Sequence, residues 1–422
     1  MFLEINGIGK IQDSIIHMNG ITVIAGANGT GKSTYGKILY CMFNAFGNKK
    51  ETIRNARLDN ICRIIFNSTD CNPNVVNDLS KKIINEIENT SEEESVENNI
   101  RKIIIGALSE QSLLASEEDD TNINDLIKNV KRSIEISDNE IQKTIINRYI
   151  KGEFDEVINH VNKPQSTGYV MLNIQKKKTS ITIENNECSK FSDEIGIRHN
   201  AIYIDTPFVM DEIRLKGFIP FFMNSSPPTK HRENLRYRLK KESSDKTIID
   251  EVLTKQKITN ILSNIHSVIK GEFKKDKGKL MFIENGLEKP IPIYNVSTGI
   301  KTFLVIKRLL ELGEIKERDI LILDEPEIHL HPEWQLQFAE ILILLQKELD
   351  LTILLTTHSP YFLNALEIYG NKHNIKEEKM NFYLAKNNED VSSIQDVKDN
   401  LDLIYKQLAM PFQKLEDIAY ED

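Results

Sequence analysis

The chain alternates between short apolar runs and longer stretches in which apolar residues recur at helical spacing. Largely apolar runs at residues 21–25, 320–323 and 351–355 have the length of buried strands. Strands that are apolar on nearly every residue are typical of a parallel sheet covered on both faces. Helical spacing follows the first run and also covers residues 332–349. This order of strands and helices predicts an α/β fold with a mixed sheet flanked by helices.

The remaining pattern divides the chain into a head and insertions. Residues 1–47 predict strand, turn, strand, loop and helix, and residues 168–184 alternate with period two around Lys176–Lys178, which predicts a β-hairpin with a basic tip. Further strands are predicted at 201–204 and 279–283. The predicted domains are 1–66 (first part of the head), 67–165 (helical insertion), 166–205 (hairpin and strand, part of the head), 206–278 (basic helical insertion) and 279–422 (second part of the head, with a tail helix).

The tail predicts an amphipathic helix, which we expect to dock on the head. Its apolar residues are Leu401, Ile404, Tyr405, Leu408 and Phe412.

Composition limits the class of protein. The 422 residues are 40% hydrophobic and 28% charged with a net charge of −9, which excludes a uniformly basic nucleic-acid binder but not a local basic patch. No apolar run approaches the roughly 18 residues of a membrane span, and the N-terminus lacks a signal-peptide pattern. Four cysteines without close pairing predict neither a disulfide framework nor a structural zinc site. We therefore expect a cytoplasmic protein without a membrane partner.

Residues 26–33 match the phosphate-binding pattern G-x-x-x-x-G-K-S in full. The predicted nucleotide-binding residues are Gly26, Ala27, Asn28, Gly29, Thr30, Gly31, Lys32, Ser33 and Thr34. Strand, glycine-rich loop and helix is the context that this motif requires. Backbone N–H groups and the helix N-terminus would surround the phosphates of ATP. Lys32 would reach the β- and γ-phosphates, and the Ser33 hydroxyl would bind Mg²⁺.

Carboxylates and a histidine follow the two later apolar runs. Asp324 and Glu325 come directly after residues 320–323, and His358 follows residues 351–355. Ligands of parallel sheets bind beyond the carboxyl ends of the strands. Asp324 is therefore predicted to hold Mg²⁺, Glu325 to activate the attacking water, and His358 to contact the γ-phosphate.

A second anion site is predicted where a Ser-Thr-Gly turn begins a helical run. The residues concerned are Ser297, Thr298, Gly299 and Lys301. One phosphate does not need two such sites in one chain. If two chains meet head to tail, the second site closes over the γ-phosphate bound by the partner.

The order of these motifs resembles the ATP-binding-cassette class: Walker A, an LSGGQ-like signature, Walker B with its glutamate, and the switch histidine. The Asn-Gly-x-Gly-Lys-Ser form of the loop resembles the SMC, Rad50 and RecF branch. Residues 324–332 (DEPEIHLHP) and 357–360 (THSP) are similar to OLD-like ATPases. The resemblance implies Lys32 and Ser33 on phosphates and Mg²⁺, Asp324 on Mg²⁺, Glu325 as catalytic base, His358 as switch residue, and Ser297 with Gly299 acting across a dimer.

OLD nucleases carry a C-terminal Toprim nuclease domain with an Asp-x-Asp pair, and no such pair follows His358. The chain therefore resembles stand-alone ATPases of two-gene antiphage systems such as Septu and PARIS. That resemblance implies a homodimer or higher oligomer, with ATP and Mg²⁺ as cofactors. It also implies a separate nuclease or toxin as effector.

Two other functions remain open at this point. A basic cluster formed by Lys230, Arg232, Arg236, Arg238 and Lys240 could contact a nucleic-acid backbone, as in a RecF-like DNA-repair ATPase, or an acidic partner. The alternative for these residues is a solvated helix face. Asp205, Asp211 and Glu212 could form the metal site of a self-sufficient nuclease, although capping roles in a loop also explain them.

Overall fold

A computed structural model describes residues 1–69, 71–89, 93–110, 117–163, 165–213, 227–241, 248–388 and 391–420. The chain forms two compact units. The first contains the described parts of residues 1–47, 146–216 and 228–422, and the second is built mainly from residues 48–145. In the described residues, no helix is both long enough and apolar enough to cross a membrane.

The first unit is built on a large mixed sheet. Its strands are β1 (Phe2–Ile8), β2 (Ile11–His17), β3 (Ile21–Gly26), β4 (Gly168–Ile174), β5 (Lys177–Glu184), β6 (Glu187–Asp193), β7 (Ala201–Ile204), β11 (Ile320–Asp324), β12 (Thr352–Thr357), β13 (Met380–Asn388) and β14 (Val391–Asp396), in the spatial order β6-β5-β4-β1-β2-β14-β13-β3-β12-β11-β7. A separate small sheet contains β8 (Gly271–Asp276), β9 (Lys279–Glu284) and β10 (Ile291–Pro292).

One half of the large sheet is antiparallel and the other half is parallel. Strands β6, β5, β4, β1 and β2 pair antiparallel in succession. Strands β13, β3, β12, β11 and β7 pair parallel. The carboxyl ends of the parallel strands therefore meet at one edge, where ligands of such sheets bind.

Helices complete the two units. They are α1 (Lys32–Phe46), α2 (Lys49–Ser68), α3 (Pro73–Asn89), α4 (Glu93–Glu110), α5 (Glu117–Glu135), α6 (Asp138–Phe154), α7 (His231–Lys240), α8 (Ile248–Val268), α9 (Thr298–Glu311), α10 (Pro332–Leu349), α11 (Pro360–Lys372), α12 (Lys376–Lys379) and α13 (Asp402–Tyr420). A 3-10 helix spans Pro207–Glu212, and a shorter one spans Ile293–Asn295.

Both faces of the parallel strands are covered, which explains their continuous apolar sequence. Alternate residues such as Val23, Leu323 and Leu355 join a core that includes side chains from α9, α10 and α11. On the opposite face, α1 packs against β7, β11 and β12. A Cβ on Gly36 of α1 would lie only 2.9 Å from Cγ2 of Ile322, so a glycine permits this close approach.

The second unit is a helical bundle with a core of its own. Apolar side chains at helical spacing on α2, α3, α4 and α5 meet in one cluster, in which Ile61, Ile83 and Val130 are fully buried. The apolar pattern of this region therefore reflects an independent core.

The structure confirms the predicted α/β class and most of the predicted elements. The hairpin β4–β5, strand β7 and helix α10 form where the pattern placed them. The sequence predicted two strands before the phosphate-binding loop, which is wrong, because the structure has three. Residues 2–17 form the hairpin β1–β2, and β3 follows it. Gly9, with φ of +54°, supplies the left-handed backbone of that extra turn.

The structure does not test the predicted domain boundaries, which stay predictions. The helical unit covers residues 48–145, whereas the sequence placed the first insertion at 67–165. Parts of the predicted segment 206–278 lie outside the described residues. The start of α13 packs on the core through Ile404, together with Leu401 just before the helix, as expected of the tail, whereas Phe412 is exposed.

We predict that Gly20→Ala destabilises the first unit. Gly20 lies between β2 and β3 with φ of +78°, and a Cβ there would lie 2.3 Å from the carbonyl oxygen of Lys379. Strain and overlap together should lower the free energy of unfolding by about 2–4 kcal/mol, measured by urea denaturation. The control is Gly196→Ala, at φ of +64° with no atom within 4 Å, which should cost only about 1 kcal/mol. Equal losses in both variants would contradict the predicted overlap.

Candidate active site

The phosphate-binding loop connects the end of β3 to the start of α1 with a glycine-dependent backbone. Gly29 and Gly31 adopt left-handed φ values of +76° and +77°. A Cβ on Gly26 would lie 2.4 Å from the carbonyl oxygen of Ala385 on β13, so only glycine fits there. The Ser392 hydroxyl of β14 donates to the Thr30 carbonyl and fixes the loop from the other side. These contacts form the cradle for an anion that the motif predicts.

Lys32 points into this loop. Its side chain is 4% exposed, and its ammonium group donates to the carbonyl oxygens of Gly26 at 2.9 Å and Ala27 at 3.0 Å. The same nitrogen lies 3.2 Å from Oε1 of Glu325. The structure thus brings together the predicted phosphate ligand and the predicted catalytic base. The neighbouring Ser33, the predicted Mg²⁺ ligand in this loop, is partly exposed at the start of α1.

Asp324 ends β11 with both carboxylate oxygens hydrogen-bonded. Tyr203 of β7 donates to Oδ2 at 3.1 Å, and Thr356 of β12 donates to Oδ1 at 2.6 Å. Burial raises the pKa of Tyr203 well above its ordinary value, helped by the charges of Asp324 and Asp205, so the phenol stays a donor. Oxygen ligands from a carboxylate and from the Ser33 hydroxyl suit a hard cation such as Mg²⁺.

Glu325 follows in a left-handed conformation with φ of +49°. Its N–H donates to the hydroxyl of Thr356 at 3.0 Å and to its carbonyl oxygen at 3.2 Å. Positive φ is uncommon for a residue with a Cβ, and such backbone strain clusters at functional sites. The turn directs the carboxylate to Lys32 and to His358, whose Nδ1 lies 3.4 Å from Oε1.

Glu327 is a site residue that the sequence reasoning missed. Its Oε1 accepts hydrogen bonds from the Thr357 hydroxyl at 2.5 Å and from the N–H of His358 at 3.1 Å. The side chain is 2% exposed, and burial raises the pKa of its carboxyl. Glu327 therefore links the segment after β11 to the segment that carries His358. The sequence signal that could have identified Glu327 is its position two residues after Glu325.

The predicted signature residues occupy the start of α9 but differ in accessibility. Ser297 is exposed at the N-cap, and its hydroxyl makes no capping bond to the helix. Gly299 is buried, since a Cβ there would lie 3.0 Å from both the His329 carbonyl oxygen and the Trp334 ring. Thr298, between them, is partly exposed.

Lys301 was expected to face a second chain, but the structure places its side chain inside its own unit. It is buried within its own unit because its ammonium group lies 2.7 Å from Oδ1 of Asp211 and donates to the Tyr294 carbonyl oxygen at 3.2 Å.

The basic cluster lies on and beside α7, and its side chains pair with acids of the same unit. Lys230 lies 3.4 Å from Asp155, Arg232 2.6 Å from Asp205, Arg236 2.7 Å from Glu212, and Arg238 3.2 Å from Glu314. Lys240 also has an interaction partner within the chain. The arrangement therefore neutralises most of the charge that was predicted to attract a nucleic-acid backbone.

The three acids of the alternative nuclease site are also paired with cations. Asp205 contacts Arg232 and His231, Asp211 contacts Lys301, and Glu212 contacts Arg236. Over the part of the chain that the structure describes, no group of three or more His, Cys, Asp or Glu side chains could hold a metal ion. The four cysteines are free and buried.

His231 is a second residue that the sequence reasoning missed. Its Nδ1 lies 2.7 Å from Oε2 of Glu153, and its Nε2 lies 3.1 Å from Oδ2 of Asp205. Burial alone would lower the pKa of the imidazole, but the two carboxylates outweigh burial and raise it to about 9. Glu153 lies far from both partners in sequence, so no local pattern could reveal this cluster.

Solved structures of SMC heads are similar to this chain over most of its length. An SMC head domain from Thermotoga maritima is 12% identical, with 94% of this chain and 98% of that chain covered and a TM-score of 0.39. An SMC head bound to the C-terminal winged-helix domain of ScpA is 12% identical, with 95% and 98% covered and a TM-score of 0.41.

A family model covers the site and most of the first unit. The model described as "AAA domain, putative AbiEii toxin, Type IV TA system" matches residues 21–364, from the strand before the phosphate-binding loop to the helix after His358. That match supports the ATPase domain that the sequence motifs predict. The chain belongs to this family, AAA_21.

Proposed function

We propose that this chain binds Mg-ATP at the phosphate-binding loop and hydrolyses it with Glu325 as the catalytic base. The supporting observation is that two predicted residues, Lys32 and His358, converge on the carboxylate of a third, Glu325. Oε1 of Glu325 lies 3.2 Å from the Lys32 ammonium group and 3.4 Å from Nδ1 of His358. These residues come from three separate chain segments, so a chance turn does not account for their meeting.

Lys32 controls the state of Glu325 in this proposal. Its ammonium group is shared between two loop carbonyls and the Glu325 carboxylate. The phosphates of ATP carry more negative charge than one carboxylate, so Lys32 exchanges Glu325 for phosphate oxygens when ATP binds. Glu325 is then available to accept a proton from the attacking water. Nucleotide binding and release of the base thus become one event.

The other site residues have assigned roles. Ser33 and Asp324 would hold Mg²⁺, which would neutralise charge on the phosphates. His358 orients Glu325 through its ring and contacts the γ-phosphate side of the site. Glu327 fixes the backbone of His358, because the His358 N–H donates a hydrogen bond to the Glu327 carboxylate.

We further propose that ATP joins the heads of two chains, with the start of α9 of one chain facing the γ-phosphate bound by the other. The Ser297 hydroxyl is exposed, makes no capping bond to its own helix, and lies with Thr298 at a helix N-terminus. Such a terminus favours an anion, which a γ-phosphate held by the partner would supply. Hydrolysis removes that phosphate and releases the dimer.

The biological role that we propose is regulation of a separate effector, a nuclease or toxin, in antiphage defence. The family description names a putative AbiEii toxin and a type IV toxin–antitoxin system, which supports a two-component arrangement. A RecF-like ATPase acting on DNA is less well supported, because the basic side chains of α7 pair with acids of their own unit. A self-sufficient nuclease lacks a metal-binding cluster in the described residues.

We predict that Lys32→Ala strongly weakens ATP binding. The variant removes the buried cation of the loop, and a charge-assisted hydrogen bond to phosphate contributes about 1.5–3 kcal/mol, so affinity should fall at least about tenfold. Titration calorimetry with ATP measures this loss. Lys10→Ala is the control, since Lys10 only reaches the Gly29 carbonyl oxygen at 3.5 Å on the surface. Retained affinity in Lys32→Ala would exclude the loop as the ATP site.

We predict that Glu325→Gln binds ATP but turns it over about 10²–10⁴-fold more slowly, since the amide cannot accept the proton. Phosphate release measures turnover, and light scattering with Mg-ATP should show a persistent dimer. The control Glu333→Gln changes an exposed glutamate in the first turn of α10. Normal hydrolysis by Glu325→Gln would show that the assigned mechanism is wrong.

The same two variants test the proposed role. In the native host with Mg-ATP, tagged Glu325→Gln should retain a stoichiometric nuclease or toxin, identified by mass spectrometry, that Lys32→Ala does not retain. Nucleic acid without a protein partner would favour the DNA-acting alternative. Identical protein sets on both variants would contradict regulation through ATP.

A further inference from the structure

The metal-binding carboxylate of the proposed site is held from both sides by neighbouring strands. Asp324 ends β11, Tyr203 of β7 donates to its Oδ2 at 3.1 Å, and Thr356 of β12 donates to its Oδ1 at 2.6 Å. A carboxylate with both oxygens hydrogen-bonded cannot rotate freely about its Cβ–Cγ bond. Its orientation is therefore set before a cation arrives.

The Tyr203 ring is itself fixed by burial and by a stacked imidazole. The residue is 2% exposed. The His231 ring stacks on it, with 4.3 Å between the ring centroids and 24° between the planes. On the side of α1, a Cβ on Gly36 would lie 3.3 Å from the phenol oxygen, so the glycine leaves room for the ring. Burial, the stacked imidazole and the hydrogen bond to Asp324 together hold the phenol oxygen at this position.

The His231 ring is held in turn by carboxylates from two further elements. Its Nδ1 lies 2.7 Å from Glu153 of α6, and its Nε2 lies 3.1 Å from Asp205, directly after β7. The backbone N–H of His231 donates to Glu153 at 2.6 Å. The start of α7 is therefore connected through two rings to the carboxylate of Asp324.

We propose that Tyr203 is the positioning residue for Mg²⁺ binding by Asp324, and that His231 keeps the Tyr203 ring in place. This inference rests on the proposed role of Asp324 as metal ligand. The hydroxyls of Tyr203 and Thr356 each donate to one carboxylate oxygen, so the carboxylate would offer its remaining lone pairs to the cation in one orientation. Outer hydrogen bonds of this kind typically change metal affinity or activity by 10–100-fold.

The test is Tyr203→Phe, which removes only the hydroxyl and keeps the ring in its stack. Two readouts are used: Mn²⁺ binding to the ATP-loaded protein by electron paramagnetic resonance, and the Mg²⁺ concentration for half-maximal hydrolysis. We expect the Mn²⁺ dissociation constant and the half-maximal Mg²⁺ concentration each to rise about tenfold, with ATP affinity in excess EDTA unchanged. A purely structural role would weaken ATP binding in EDTA as well.

Tyr383→Phe is the matched control. Tyr383 is also 2% exposed within the same sheet, and its hydroxyl accepts a hydrogen bond from the His17 N–H at 2.7 Å. It should lose comparable stability but keep the wild-type Mn²⁺ affinity. An equal loss of Mn²⁺ affinity in both variants would overturn the inference.

Asp324→Asn separates failure of the inference from failure of the proposed function. If Asp324→Asn weakens Mn²⁺ binding and Tyr203→Phe changes it less than twofold, the positioning role is wrong. If Asp324→Asn leaves Mn²⁺ binding unchanged, the proposed metal site is wrong. In the double variant, Tyr203→Phe should add no further loss, because its effect passes through the Asp324 carboxylate. A full additional loss there would show that Tyr203 acts on the metal by another route.

Discussion

The parallel register of the central strands is the constraint on which the candidate site depends. Asp324 pairs with Thr356, and Thr357 pairs with Ala25, so β3, β11 and β12 end at the same level. Each strand then delivers one chemical group: the phosphate-binding loop, the carboxylate pair, or the histidine. A shift of one residue in either pairing would turn every side chain of that strand to the opposite face. The apolar residues along these strands fix the register of the pairing. They therefore determine the geometry of the site as well as the packing of the core.

The sequence predicted the parts of the site that depend on local pattern. The glycine-rich loop, the acids after β11 and the histidine after β12 each follow an apolar run, and parallel strands bring such positions together. The fold class followed from the same runs. The extra strand at the N-terminus was not predicted, because two short strands around a glycine turn resemble one irregular extended segment.

Residues whose role comes from distant partners could not be found from the sequence. His231 acts with Glu153 and Asp205, and no spacing rule relates the three. Lys301 looked like part of a signature, yet its cation pairs with Asp211 inside the unit. The basic side chains of α7 formed a visible charge cluster, but only the fold shows that acids from other elements neutralise it. A run of basic residues therefore shows only that a segment is charged. Whether that charge is free to bind a ligand depends on the acids that the fold places beside it.

The contacts of the phosphate-binding loop with β13 and β14 have a consequence for synthesis of the protein. Gly26 fits against Ala385, and Ser392 donates to the carbonyl of Thr30, 362 positions away in the chain. A ribosome-bound chain that lacks these late strands contains the whole phosphate-binding motif. It does not yet contain the residues of β13 and β14 that contact the loop and fix its shape. Contacts of such high sequence separation form slowly, and these cannot form before β13 and β14 have been synthesised. Nascent chains should therefore remain unable to capture nucleotide until almost all of the first unit has emerged.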